Sequence, residues 1–424
     1  MSSPTPTDQS PDAFRMLPAE RHAAAWLASI YALRMFGMFM ILPVFAVHAK
    51  TMPGGDNLSL IGLAMGIYGL SQALMQIPLG WASDKIGRKP VILGGLLMFA
   101  AGSAFGYMAE TLEQLAWARA LQGAGAISAA LSAFLADVTR DEVRSKGMAM
   151  IGASIGITFA LSLIASPILY NWFGLQGLFG LTGVMALGAM AVVMWRLPNP
   201  DDPKLPGAVH QKAVGFKGAV DVLLAPDLLR LNLGIFTLHL TQMALFVVVP
   251  GLLVSGLDLP LSEHWKVYLP VVLGSFLLMV PVMIWSEKKA KTKTVKLGAI
   301  VLMALVMAGF MLFNQSGLAL VALLLAYFIG FNLLEATLPS WVSRVAPPSH
   351  RGLALGVYNT SQALGLFAGG ALGGLISRSY GQTVVFESIL VCVLVWFVLV
   401  KGIKALPARG SNSPVNPQTN AVKA

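Results

Sequence analysis

The chain is made of long apolar runs separated by short charged turns, and each run is long enough to cross a lipid bilayer. A spanning helix needs about 20 apolar residues. Such runs lie near 23–47, 60–82, 91–108, 114–136, 147–170, 175–195, 231–254, 266–286, 295–314, 317–341, 352–375 and 381–403. They are about twice too long for barrel strands and do not alternate. The predicted class is therefore an all-α membrane protein with twelve transmembrane helices. Composition decides one further point. Only 11% of the 424 residues are charged, against about 25% in a soluble domain, too few to build a water-facing surface.

Lys and Arg predict the orientation, because cytoplasmic loops of membrane proteins carry an excess of them. The head, the tail, the long central segment and the turns after spans 2, 4, 8 and 10 together hold 24 of the 29. The opposite side holds Lys50, Lys266 and Arg378, and Arg34 and Arg119 fall inside spans. Both termini are thus expected in the cytoplasm, in a multi-pass protein of the cell inner membrane. The formal charge of +10 is largely this topological bias, and no nucleic acid is implied. The head has no short apolar core with a cleavage site, so no removable signal peptide is expected.

The longest polar stretch between spans, 197–229, divides the spans six and six. The expected organisation is an N-terminal tail (1–22), a six-helix bundle (23–196), a cytoplasmic linker (197–229), a second six-helix bundle (230–405) and a disordered tail (406–424). An internal repeat supports the division. Phe39-Met-Ile-Leu-Pro43 matches Phe246-Val-Val-Val-Pro250 at an offset of 207, and Lys146-Gly-Met-Ala-Met matches Arg351-Gly-Leu-Ala-Leu at 205. Span 2 also echoes span 11: Gly66-Ile-Tyr-Gly-Leu-Ser-Gln-Ala-Leu74 against Gly356-Val-Tyr-Asn-Thr-Ser-Gln-Ala-Leu364. Each is the second helix of a three-helix unit, and nested repeats of this kind mark transporters.

The turn between spans 2 and 3 reads Gly80-Trp-Ala-Ser-Asp84-Lys-Ile-Gly87-Arg88-Lys89. Gly87 suits a tight reversal, Gly80 a close helix approach, and Asp84 a helix cap or a pair with Arg88. At these residues the chain resembles the major facilitator superfamily, over about 20–405. The resemblance implies two six-helix bundles that rock about a central site. It also implies a gate in which Asp84 and Arg88 form a charge cluster with Asp137 at the end of span 4, with Asp84 facing the start of span 11.

A second match is Arg119-Ala-Leu-Gln122-Gly123 in span 4, similar to a motif of twelve-helix drug:proton antiporters. Leu33-Arg-Met-Phe-Gly-Met-Phe-Met40, Glu263-His-Trp-Lys-Val-Tyr268 and Phe331-Asn-Leu-Leu-Glu335 resemble the YajR-type branch of those antiporters. Members of that branch can carry a soluble C-terminal domain, and none is expected here. Span 5 departs from the antiporter pattern: Pro167 is present, but the glycine pairs around it are not. The bland reading of Arg119 is a structural arginine bonded to carbonyls near the external surface.

Three ionisable residues lie deep within spans: Arg34, His239 and Glu335, each roughly 10–17 Å from the cytoplasmic face at 1.5 Å per residue. A carboxyl held in low dielectric can take and release a proton, and histidine titrates near neutral pH unaided. That spans 1, 7 and 10 line one cavity is what the resemblance implies, and it makes Glu335 with His239 and Arg34 the expected coupling site, the arginine holding Glu335 ionised in one state. A static Arg–Glu lock is the competing reading. Gln72, Gln76, Tyr327, Asn332, Asn359 and Gln362 are candidate substrate contacts, with helix-packing hydrogen bonds as the alternative.

No catalytic Ser/His pair, metal-binding spacing or nucleotide-binding loop is present. The one cysteine, Cys392, lies inside an apolar run. The expectation is a monomeric secondary transporter without cofactor or metal. It would export a small amphiphilic compound against protons, with symport or facilitated passage of a sugar or other metabolite left open.

Overall fold

The computed structural model describes residues 15–198, 224–289, 291–313, 316–347 and 351–403. The described residues form helices joined by short turns. We number them α1 (Pro18–Ala49), α2 (Leu58–Ile86), α3 (Arg88–Tyr107), α4 (Leu112–Ala124), α5 (Ser128–Val138), α6 (Asp141–Trp195), α7 (Pro226–Leu257), α8 (Trp265–Lys288), α9 (Thr292–Phe313), α10 (Gly317–Val345), α11 (Arg351–Tyr380) and α12 (Gln382–Val400). Twelve is also the number of crossings, by a different division. Span 4 is broken at Gly125–Ile127 into α4 and α5, and spans 5 and 6 run together as α6, folded at Gly174 (φ +65°).

Length and apolarity mark ten of these stretches as membrane-crossing, with α4 and α5 taken together and α6 counted once. The remaining crossing, α11, falls short because Asn359, Thr360, Ser361 and Gln362 interrupt it. The result is a multi-pass, all-α membrane protein of two six-helix bundles.

Local chemistry sets the helix ends. Pro18 opens α1, where a missing N–H costs nothing, and Glu20 Oε2 accepts the Leu17 N–H at 2.8 Å. Asn57 caps α2 by accepting from the Ser59 and Leu60 amides. Thr111 and Gln114 form a capping box on α4. Gly87 (φ +96°) allows the reversal between α2 and α3. Two expected boundaries shift. α1 begins inside the predicted tail, and α7 begins at Pro226, inside the predicted linker, because proline fits the first helical turn. Residues 1–14 of the tail, 199–223 of the linker, 404–405 of the second bundle and all of the C-terminal tail (406–424) lie outside the described residues.

The halves meet chiefly along α2 and α11. A methyl added at Gly62 would lie 2.2 Å from the Gly370 carbonyl oxygen, and one at Gly69 would lie 2.3 Å from that of Ala363. Between helices in lipid, attraction comes from van der Waals packing, so small residues that let backbones touch supply the contact. These contacts run along the starting half of α2 and from the middle of α11 to its finish. They therefore sit at the end of the bundle opposite the α1 start, which we call the far end. There Arg378 also donates to Asn57 Oδ1 at 3.0 Å. Nearer the middle, Phe159 of α6 packs on Phe328 and Phe331 of α10, with ring centroids 6.1 and 5.8 Å apart.

Candidate functional site

Three clusters of polar residues are set within or beside this scaffold. The first is the turn after α2. Arg88 Nε donates to Asp137 Oδ2 at 2.8 Å, and Arg88 Nη1 donates to Ser83 at 2.8 Å and to Asp84. The structure thus brings Asp84, Arg88 and Asp137 together. The Asp84 side chain is 65% exposed, so it is not packed under the start of α11 as the resemblance implies for a closed gate. Lys89 Nζ donates to the Leu197 carbonyl at 2.8 Å, tying α3 to the end of α6. Gly80 is less demanding than expected: a methyl there would meet Ala129 Cβ at an ordinary 3.4 Å.

The second cluster is the interior of the N-terminal half. Arg34 of α1 is fully buried and donates through Nη2 to Tyr68 Oη at 2.7 Å and to Gln72 Oε1 at 3.5 Å. Arg119 of α4, also buried, donates to Gln122 Oε1 at 3.1 Å, and Gln122 in turn donates to Ser103 at 2.9 Å. Both guanidiniums lie over the Tyr68 ring, Cζ to centroid 5.9 Å for Arg34 and 4.6 Å for Arg119. The arrangement depends on Gly123, where any side chain would run into the Tyr68 carbonyl oxygen, 2.1 Å from an added methyl. Gln76 is buried on the same helix as Tyr68 and Gln72, with no bond to either amide atom among the described residues.

The third cluster is the interior of the C-terminal half. The Gln362 Nε2 of α11 donates to His239 Nε2 of α7 at 2.7 Å, and lies 3.5 Å from Glu335 Oε1 of α10. His239 Nε2 is 3.8 Å from Glu335 Oε2. His239 Nδ1 faces the Ile235 carbonyl at 3.2 Å, which can only accept. The ring is therefore the neutral tautomer, with its hydrogen on Nδ1 and its Nε2 lone pair turned to Gln362. Glu335 Oε2 is buried without a hydrogen-bond partner among the described residues. A proton reaching either group has the other within 3.8 Å. Phe331 stacks edge-on to His239 at 5.9 Å and face-on to Tyr327 at 5.7 Å, so an aromatic layer with Phe328 and Phe159 stands between this cluster and α6.

The expected three-residue coupling site is therefore divided. His239 and Glu335 come together, but Arg34 is bonded within its own half, because Tyr68 and Gln72 on the adjoining helix reach it first. Arg119 is not a surface arginine held by carbonyls but the partner of Arg34 across Tyr68. Among the candidate substrate contacts, Gln362 belongs to the His239–Glu335 cluster and Gln72 to Arg34. Asn332 donates to Ser275 of α8 at 3.0 Å, a packing bond. Tyr327 is buried with its hydroxyl unpartnered among the described residues, and Asn359 is half-buried on α11. Sequence reasoning missed Tyr68 and Tyr358 (buried, hydroxyl unpartnered), although the echo between spans 2 and 11 contains both. Tyrosine and glutamine four residues apart share a helix face, and the echo places such a pair in each half.

Known proteins share this plan. The sequence profile of the Major Facilitator Superfamily matches residues 27–370. The chain is 41% identical to the inner membrane transport protein YajR of Escherichia coli (strain K12), over 93% of this chain and 86% of that one. It is 24% identical to the multidrug resistance protein MdtH of Aeromonas salmonicida (strain A449), over 85% and 89%. Its fold is similar to that of a mutant form of the nucleoside transporter NupG, with a TM-score of 0.67 at 15% identity over 89% of this chain and 99% of that one.

Proposed function

We propose, from the premise that this chain belongs to the Major Facilitator Superfamily, that it is a proton-coupled transporter exporting a small amphiphilic compound by alternating access. The observation that carries the coupling is the His239–Gln362–Glu335 cluster, an acid at the heart of a helical bundle beside a neutral imidazole. An ionisable group costs too much in a membrane interior to be kept there without a task or a partner, and Glu335 Oε2 has no bonded partner among the described residues.

In this reading the end carrying both termini faces the cytoplasm, as the Lys/Arg excess supports, and the membrane is the inner one, as the name of the YajR relative supports. The far end is shut by the α2–α11 glycine contact and the Arg378–Asn57 bond. The cytoplasmic end is released, with Asp84 exposed. Substrate enters between the halves from the cytoplasm. Rocking the halves opens the far end and lets α11 close over Asp84, Arg88 and Asp137, with Gly80, Gly87 and Lys89 shaping that turn. Glu335 takes a proton from outside and gives it up inside, with His239 as its relay. Gln76, Asn359 and Tyr327 are proposed to touch substrate. A monomer suffices for the cycle.

The test is flux in liposomes under an imposed pH gradient. Glu335→Gln is expected to abolish proton movement coupled to substrate while leaving substrate exchange at equal pH. Undiminished coupled flux in that variant removes Glu335 from the mechanism. One observation favours symport as the second reading: Gly152 and Gly156 of α6 face open space, without the tight glycine packing that the antiporter resemblance implies. The direction of substrate movement under the same gradient separates the two.

A further inference from the structure

We infer that Arg34 and Arg119 bind the anionic group of the transported compound, a carboxylate or a phosphate ester, which makes the substrate an organic anion. The inference rests on the transport reading and names the substrate class at its central site.

Every acceptor that the structure gives these guanidiniums is neutral: Tyr68 Oη and Gln72 Oε1 for Arg34, and Gln122 Oε1 for Arg119. Four of their nitrogens, Nε and Nη1 of Arg34 and Nε and Nη2 of Arg119, are buried with no partner among the described residues. A guanidinium stays protonated in proteins, and one held inside a membrane is costly unless it is paired. Two over one tyrosine ring also repel each other. The ring faces and neutral acceptors offset part of this, but no carboxylate among the described residues completes it. The acids described in the N-terminal half, Glu20, Asp56, Asp84, Glu110, Glu113, Asp137, Asp141 and Glu142, all lie in turns or near helix ends. Glu335 belongs to the other half, next to Gln362 and His239.

The missing element is an anion, and its shape follows from the donors. A guanidinium presents a planar fork that matches the paired oxygens of a carboxylate or phosphate. The free Nε and Nη2 of Arg119 share one edge of its guanidinium and form such a fork on α4, and the free Nη1 and Nε of Arg34 add single donors from α1. Both arginines are 1% exposed or less, so the side chains around them must part before an anion entering from the cytoplasm reaches them. The rings of Phe39, Phe159, Phe328 and Phe331 pack together at the joint of the halves and offer an apolar surface to the remainder of the substrate.

The experiment uses the purified full chain in detergent at pH 7 and low chloride, with benzoate, phenyl phosphate, benzamide and benzylamine as probes. The readout is the thermal unfolding midpoint against probe concentration, with no pH gradient. Benzoate and phenyl phosphate are expected to stabilise saturably, at concentrations at least tenfold below benzamide, with benzylamine without effect. Arg34→Lys and Arg119→Lys keep the charge but lose the fork, and each is expected to weaken benzoate at least tenfold. Benzamide or benzylamine binding as tightly as benzoate overturns the proposal, as does benzoate binding unchanged in both lysine variants. Where a lysine variant does not fold, wild-type preference for benzoate over its neutral isostere benzamide decides the matter. Glu335→Gln separates the two readings. It is expected to retain the anion preference, so loss of proton coupling and loss of anion binding are told apart.

Discussion

The two halves are built on one repeated plan, yet they hold opposite charge at their centres. In the N-terminal half, Arg34 and Arg119 lie against Tyr68, with no acid in any described helix interior. In the C-terminal half, Glu335 lies with His239 and Gln362, and the described lysines and arginines of that half sit near helix ends. The same pair of side chains attends each centre. Gln72 uses its carbonyl oxygen to accept from Arg34, whereas the amide nitrogen of Gln362 points at Glu335 and His239. An amide carries a donor and an acceptor on one carbon, so a duplicated Tyr-xxx-Gln face can serve a cation in one half and an acid in the other. Duplication therefore fixes where a charge can be held, and the helices facing α2 and α11 decide its sign.

The largest effect expected from perturbing one centre alone is for Gly123→Ala. Its methyl would meet the Tyr68 backbone at 2.1 Å, and overpacking of this kind costs about 3 kcal/mol. A marked drop in the detergent unfolding midpoint is expected, and a midpoint unchanged from wild type would show that α2 and α4 have room the contact denies.

The sharpest contrast comes from one substitution made twice. Gln72→Glu places a carboxylate beside Arg34 and is expected to stabilise the fold by about 1–2 kcal/mol, since an unpaired buried charge gains a partner. Gln362→Glu places it beside Glu335 and is expected to destabilise by a similar amount at neutral pH, because like charges at close range cannot both ionise. Equal shifts of the unfolding midpoint in the two variants would dissolve the opposition between the halves.

A smaller contrast separates the tyrosines. Tyr68→Phe removes an acceptor bonded to a charged group and should cost about 1.5 kcal/mol. Tyr358→Phe removes a buried hydroxyl with no partner among the described residues and should cost nothing or stabilise slightly. Denaturation of the pair in mixed micelles reads the difference. The smallest effect is expected at the far end, where Arg378→Ala loses one bond to Asn57, worth about 0.6 kcal/mol among membrane helices. Its signature is easier labelling of a cysteine placed at the buried position 61, not lower stability.

The crossings, the division into halves, and the helices that carry Arg34, Arg119, His239 and Glu335 at depth can all be read along the chain. Apolar length and interrupting charge are counted residue by residue, and the bilayer thickness turns that count into helices. The Asp84–Arg88 pair was legible as well, because the two are four apart across one turn. Which charge meets which was not legible, and it took the packed bundle to settle it. Helices surrounded by lipid are apolar on nearly all faces, so periodicity does not tell which way a polar residue points. Arg34 and Glu335 lie at similar depth in the sequence reading, and depth made them look like partners. Tyr68 and Gln72 claimed the arginine because α2 packs close to α1 and α4, and Gly123 is what lets it do so.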